Sequence, residues 1–464
     1  MRKTGFQLNK HMVITILALA WPTMFEQLMQ TAVQYVDTAM VGSLGTYATA
    51  AVGATTTVNW LINSSISALS IGFLSFIAQR LGAQDSKGAK RASAQAVLAV
   101  AVCGVFFTVL TLSLSGFIPV WMQVDPAIRE LSAQYFFILY LPMLPRTATI
   151  IFGTVLRSAG DSKTPMKIGI VVNLLNVVLN FIMIYPARVI SLWGRGVYIP
   201  GMGMGVLGAA AASAIAFAVG GICITVVLWK HPVISPRGER FAADLEILKP
   251  CLKVALPNML QRFATSFGYV AFAAMINSLG EVATAAHTIA NTVESAFYIP
   301  GYGMQTAAAT LAGYSAGEKN EKHLMQYSST IMFIATLLMT LLSTALFLFA
   351  EPIMSIFTPD RQVVELGGLA LRIVAVSEPF FAVLVILEGI FSGLGDTKAP
   401  FVFSLISMWG VRLTSTWLCV VVFKLGLGSV WLCMSADNIF RFSMMMVRFL
   451  RGKWKKGLHF IQST

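Results

Sequence analysis

Gln27, Gln30, Gln34 and Asp37 follow one another at spacings of three, four and three residues, which places them on one face of a helix. Glu26 and Asp37 are eleven residues apart, about 20° in rotation and roughly 16 Å along a helix axis. Glutamines on such a stripe often hydrogen-bond two membrane helices together. Two carboxylates on the same stripe point instead to a functional cavity, because ionisable groups are costly in a bilayer and usually serve transport. Asp37 is the first candidate for a coupling residue, since a carboxyl can take up H⁺ or, when ionised, hold Na⁺.

Other polar residues recur at helical spacing. Asn173, Asn176 and Asn180 share a face, and Ser213 lies in a small-residue run. His287, Asn291, Glu294 and Tyr298 form a second stripe, and Glu294 is its expected substrate contact. Asn59 and Asn63 are one turn apart, and Glu378 and Glu388 lie in one apolar run, Glu378 just before Pro379 and a possible kink. The expected substrate cavity is therefore lined by Glu26, Gln30, Gln34, Asn59, Asn63, Asn291, Glu294, Tyr298, Glu378 and Glu388. The glutamates could attract a cationic substrate, carry protons, or pair with Arg146, Arg262, Arg372 or Arg412. Trp60, Phe297, Phe380 and Phe381 could add aromatic faces, although membrane aromatics more often serve core or belt. Gly201–Gly205 reads as a turn, not a phosphate loop. No GxxxxGK[S/T], HExxH or Cys/His cluster occurs, so no catalytic residue, metal or cofactor is assigned.

These residues need membrane helices to position them. The 464-residue chain is 56% hydrophobic and 11% charged, with a mean hydropathy of +0.75. Its apolar runs are long enough for a hydrocarbon core of about 30 Å. Twelve spans are expected near 12–40, 46–78, 92–117, 130–153, 167–186, 205–229, 254–277, 282–313, 324–350, 362–391, 401–423 and 427–447. With the N-terminus inside, 23 of the 33 basic residues fall in cytoplasmic segments, among them Arg2, Lys3, Lys453, Lys455 and Lys456, and 5 fall outside. This asymmetry places both termini in the cytoplasm and explains the net charge of +13 without a nucleic-acid partner. Five cysteines show no paired spacing, so no disulfide framework is expected.

The two halves match at a constant offset of 235 residues. Trp21-Pro22 faces Leu256-Pro257, Ser43-Leu44-Gly45 faces Ser278-Leu279-Gly280, and Gly160-Asp161 faces Gly395-Asp396. Six spans per half give both halves the same orientation, a parallel repeat. The expected fold is all-α integral membrane, twelve transmembrane helices in two six-helix lobes. The expected domains are an N-terminal lobe at 1–229, a linker at 230–249 and a C-terminal lobe at 250–464.

The Trp21-Pro22 start, Asp37-Thr-Ala-Met-Val-Gly42, Gln79-Arg-Leu-Gly-Ala83, the paired Gly-Asp turns and Pro300-Gly-Tyr-Gly303 together resemble the multidrug and toxic compound extrusion (MATE) family. The resemblance covers nearly the whole chain. It implies secondary-active export of amphipathic, often cationic compounds, driven by inward H⁺ or Na⁺. It also implies that Asn176, Asn180 and Ser213 join Asp37 in a coupling-cation site. At Asn180 some members carry a second acid, whose absence argues against tight Na⁺ binding. One subgroup's acids on the seventh and tenth spans are missing here, where Thr265 and Phe381 stand, so that subgroup's site does not carry over.

The expected protein is not an enzyme but a monomeric antiporter of the plasma (inner) membrane, with a small-molecule substrate and H⁺ or Na⁺ as its partners. The alternatives are a lipid-linked precursor flippase of the same superfamily, which needs a strongly cationic cavity, and an intramembrane transferase, whose Asp-rich or His-centred motif is not found.

Overall fold

A computed structural model describes residues 9–192, 195–452 and 454. Arg2, Lys3, Lys453, Lys455 and Lys456, counted above with the inner side, lie outside the described residues. Each of the twelve expected spans is matched by a helical element, and the fold is all-α and membrane-spanning. The elements are α1 (Lys10–Gly42), α2 (Thr46–Gly82), α3 (Ser86–Leu114), a bent α4 (Pro126–Tyr140 and Met143–Ser158), α5 (Lys163–Met183) and α6 (Val206–Lys230). The second half follows as α7 (Leu245–Asn277), a broken α8 (Glu281–Phe297 and Ile299–Gly317), α9 (Glu321–Leu348), α10 (Arg361–Gly393), α11 (Lys398–Val422) and α12 (Leu427–Leu450).

Among the described residues, eight helices and the bent α4 are long and apolar enough to cross a membrane by length and composition. The spans outside that set, α7, α8 and α12, carry Arg262, Glu294, Asp437 and Arg441, polar residues that lower their apolarity. On α3, Val102, Val105, Phe106 and Val109 are each more than half exposed, the outward apolar surface that lipid solvates.

The repeat is visible in backbone detail. Gly45 and Gly280 share the left-handed region at φ +108° and +100°, as do Gly160 and Gly395 at +84° and +78°. At the turn after α4 the Asp161 N–H donates to the Leu156 carbonyl at 3.0 Å. At the matching turn after α10, Asp396 donates to Phe391 at 2.9 Å. These six-to-one bonds close both helices with the same C-terminal motif, which explains why the Gly-Asp pair recurs.

The segment between α5 and α6, expected as a loop, forms an antiparallel hairpin of β1 (Pro186–Leu192) and β2 (Arg195–Met202). Val189 pairs with Tyr198 and Ile190 with Val197, with an irregularity at Pro186/Arg188. Its β-branched and aromatic content favours strand. The expected turn begins only after β2, at Gly203 and Gly205, whose φ angles are +63° and +58°. In α11, Ile406–Leu413 and Leu418–Val422 wind as π-helix, a local widening often found at functional sites.

The helices form two compact units. One contains Phe25–Phe73 and Ser86–Leu248. Within it small residues allow helices to touch: a Cβ at Gly221 would lie 2.3 Å from the Pro145 carbonyl oxygen, and one at Gly208 2.4 Å from that of Met183. The other unit contains Lys249–Thr464 together with Met1–Met24 and Leu74–Asp85, so the first turns of α1 and the last turns of α2 belong with second-half helices. Its core brings Ile16 and Ala20 of α1 together with Met304, Leu387 and Phe391. Ser75 Oγ and Gln79 Nε2 donate to the Gly393 carbonyl at 3.0 and 2.9 Å. Gly82 and Gly317 let α2 and α8 approach backbone to backbone; a Cβ on Gly317 would meet the Gln79 oxygen at 2.0 Å.

This seam has no room for a side chain. Gly317→Val should lower stability by about 1–3 kcal/mol through overpacking. Gly53→Ala, inside α2 with nothing within 4 Å of its Cβ, should instead raise stability by about 0.5–1 kcal/mol. Thermal unfolding of the purified protein in detergent measures both.

Candidate functional site

The first unit gathers the residues expected to hold the coupling cation. α1 supplies Asp37, α5 supplies Asn176 and Asn180 one turn apart, and the early part of α6 supplies Ser213. Asn180 Nδ2 donates to Asp37 Oδ1 at 2.5 Å. Asn176 fits the network best with its amide nitrogen 3.0 and 3.2 Å from the two Asp37 oxygens and its oxygen accepting from Ser213 Oγ at 3.0 Å. Asn176 and Asn180 are 6% and 1% exposed, while Asp37 and Ser213 are half-buried. Among the described residues no ion pair is formed by Asp37. Asn180 Oδ1 is buried without a hydrogen-bond donor. The cluster thus offers a carboxylate, amide oxygens and a hydroxyl, a set able to take a proton or present oxygens to a small cation.

Further along the α1 stripe, Gln30 and Gln34 are exposed, while Glu26 is partly buried. Glu26 is held by Arg157 of α4 at 2.5 Å, with Gly169 of α5 beside its side chain. Asn59 and Asn63 of α2 form a different cluster. Asn59 Oδ1 accepts from Arg146 Nη2 at 2.6 Å, Tyr140 OH at 2.9 Å and Asn63 Nδ2 at 3.2 Å. The Arg146 guanidinium also lies over the Phe217 ring, 4.6 Å from its centroid.

The other unit holds the second-half candidates. Asn291 is exposed on α8. Glu294 is 2% exposed and Glu378 1%. The Tyr298 hydroxyl donates to Glu294, and its ring stacks on Phe381 with centroids 4.2 Å apart. Glu388 is approached by Gln305 Nε2 at 3.4 Å and Gln261 Nε2 at 3.5 Å, and by Arg441 at 3.8 Å. Arg372 pairs with Glu351 at 3.0 Å. His287 is framed by the Phe272 and Trp431 rings.

A buried ion pair of this unit escaped the sequence reading. Arg412 of α11 meets Asp437 of α12 at 2.8 Å, with side chains 4% exposed on both sides. Ser407 donates to the same carboxylate, and the Tyr269 and Phe272 rings flank the guanidinium at 5.5 and 5.6 Å. The signal was present as an acid in the middle of the last apolar span.

Comparison with known proteins places this architecture among transporters. The sequence matches the MatE family at residues 22–182 and 257–418. It is 30% identical over 441 residues to a probable multidrug resistance protein NorM of Thermotoga maritima, covering 95% of this chain and 93% of that protein. The fold is similar to that of a MATE crystal structure in a bent conformation, with TM-score 0.86, 24% identity, and 99% and 100% of the two chains covered. It is also similar to a MOP superfamily transporter from Pyrococcus furiosus for which a binding pocket of reverse polarity suggests a different function (TM-score 0.84, 24% identity, 99% and 100% covered).

Asp437→Asn leaves the Arg412 charge buried without its counter-ion and should cost roughly 3–5 kcal/mol. The double change Arg412→Met/Asp437→Leu should recover most of that loss. Thermal unfolding of the three variants forms the test; equal losses in the single and double variants would mean that the charges are not coupled.

Proposed function

Because the chain belongs to the MatE family of membrane transporters, we propose that it is a cation-coupled antiporter exporting amphipathic, cationic organic compounds. The observation that carries this reading is the Asp37 cluster. It is a carboxylate on a membrane helix, hydrogen-bonded by Asn180 at 2.5 Å, with no basic partner among the described residues. A structural carboxylate on a membrane helix is normally answered by a basic partner, as Asp437 is by Arg412. Asp37 is instead left able to exchange a cation.

Binding of H⁺ or Na⁺ at Asp37 from outside neutralises the carboxylate. Release toward the cytoplasm restores it, and the conformation that exposes Asp37 to each side changes with its occupancy. Exposed Gln30 and Gln34 lie on the same stripe and receive the substrate, with Glu26 oriented by Arg157 at its far end; within the same unit Asn59 and Asn63 offer further polar contacts. A membrane potential gives ~2.3 kcal/mol per charge per 100 mV, so ~150 mV sustains roughly 300-fold accumulation for one net charge moved. The excess of basic residues in the expected inner segments supports cytoplasmic termini in a plasma membrane, and the proposed working unit is a monomer.

Names among the relatives support drug export, without naming a charge class: the T. maritima protein is called a probable multidrug resistance protein, and a relative from Edwardsiella ictaluri, 26% identical, the multidrug resistance protein MdtK.

In proteoliposomes, a fluorescent cationic dye should leave faster under an imposed pH or Na⁺ gradient than without one, and Asp37→Asn should abolish that acceleration. The gradient that works identifies the ion. Full gradient-driven efflux by Asp37→Asn would remove Asp37 from coupling. Absence of efflux under every gradient, with insertion verified, would favour the lipid-precursor flippase.

A further inference from the structure

We infer that α11 and α12 together hold an anionic phospholipid, its phosphate on Arg448 and Arg451 and one acyl chain in the groove beside them. This goes beyond the antiport reading and does not depend on it; only the leaflet, the inner one, follows from the cytoplasmic termini proposed above. A cavity of about 310 Å³ lies between the start of α11 and the end of α12, lined by Phe403, Ser443, Met444, Val447, Arg448 and Arg451. That volume is near the lower end of the roughly 300–1,000 Å³ of small-ligand pockets, and a stretch of one chain suits it.

The groove is apolar along the helices and cationic at their end. Ser443, Val447 and Arg451 follow one another at one turn each on α12. The Ser443 hydroxyl donates back to the Ile439 carbonyl at 2.8 Å, so its one hydrogen is not offered to the groove. Phe403, Met444 and Val447 then leave an apolar wall. Val447 is exposed, as are the apolar Val402 and Ile406 on α11 and Leu450 on α12, which is the surface expected where a groove opens to lipid.

The charges at the end suit a phosphodiester. Arg448 gives Nε and Nη2 to one oxygen of Asp396 at 2.9 and 2.6 Å. That fixes the guanidinium and leaves Nη1 without a hydrogen bond among the described residues. Arg451 is exposed, and among the described residues its side chain has no ion pair. Two guanidiniums and one carboxylate leave one positive charge, and a phosphodiester carries one negative charge. The chain turns off α12 directly after Arg451: Gly452 takes φ +63°, and Trp454 Nε1 donates back to the Phe449 carbonyl at 2.7 Å. The Trp454 ring stacks on Phe449 with centroids 5.8 Å apart. Basic pockets between membrane helices on the cytoplasmic side are suited to acidic headgroups. The same charges repel a cationic compound, and a free phosphate would leave the apolar wall uncovered.

The full-length protein in phosphatidylcholine nanodiscs, doped with phosphatidylglycerol carrying a photoactivatable group on one acyl chain, tests the site. After illumination, peptide mapping should find the label concentrated at Phe403, Met444 and Val447 relative to the outward face of α3 at Val102, Val105 and Val109. Unlabelled phosphatidylglycerol should displace it, and glycerol phosphate in solution should not. Arg451→Gln should cut labelling of the groove about fivefold, the weight of one arginine at a membrane surface. Val447→Trp, which fills the groove and keeps both arginines, should abolish it. Thermal unfolding of both variants without added phosphatidylglycerol should match the wild type, so that lost labelling is not lost folding. Labelling spread evenly over α3 and the groove, equal labelling by a phosphatidylcholine probe, or labelling unchanged in either variant would overturn the site. Displacement by glycerol phosphate would overturn the lipid as its occupant. Failure of the Asp37 reading would show in transport and would leave this labelling untouched.

Discussion

A charge inside a lipid bilayer has to be answered from within the protein, because there is no water to solvate it. Most of the polar structure of this chain follows from that constraint. Glu26 is met by Arg157 at 2.5 Å and Asp437 by Arg412 at 2.8 Å. Arg146 has no carboxylate partner among the described residues and is met by Asn59 and the face of Phe217. Asp37 is an exception: it has no basic partner among the described residues and lies among two asparagines and a serine.

The same constraint explains how the helices meet. Lipid gives no hydrophobic incentive for one helix to leave it for another, so association depends on close contact and hydrogen bonds. Glycines carry that role at several crossings, and at Gly82 and Gly317 they bring α2 and α8 backbone to backbone. Ser75 and Gln79 then hydrogen-bond across to Gly393. These bonds tie the end of a first-half helix into the second-half unit, a grouping that the internal repeat does not suggest.

Much of this was legible in the sequence. Span positions follow from apolar length, the repeat from glycine and proline pairs at one offset, and the Asp37–Asn176–Asn180 stripe from helical spacing joined to family resemblance. Partner choice was not legible. Which arginine answers which acid depends on how helices distant in sequence pack; Glu26 and Arg157 are 131 residues apart. Asp437 was passed over although a lone acid in a long apolar run is itself a signal. The hairpin at 186–202 was missed because its glycines and prolines read as a loop, while the β-branched and aromatic Val189, Ile190, Val197 and Tyr198 favour strand. The widened π-helical turns of α11 leave no mark in the spacing of its residues.

Reciprocity gives the most direct test of the central claim that Asp37 couples cation and substrate movement. Proteoliposomes holding a pH-sensitive and a Na⁺-sensitive dye would be given a gradient of a cationic substrate with no ion gradient imposed. The account expects substrate flow to drive H⁺ or Na⁺ in the opposite direction in the wild type, and no ion movement in Asp37→Asn. Ion movement of equal size in the two proteins, or substrate flow in the wild type that moves no ion, would contradict it.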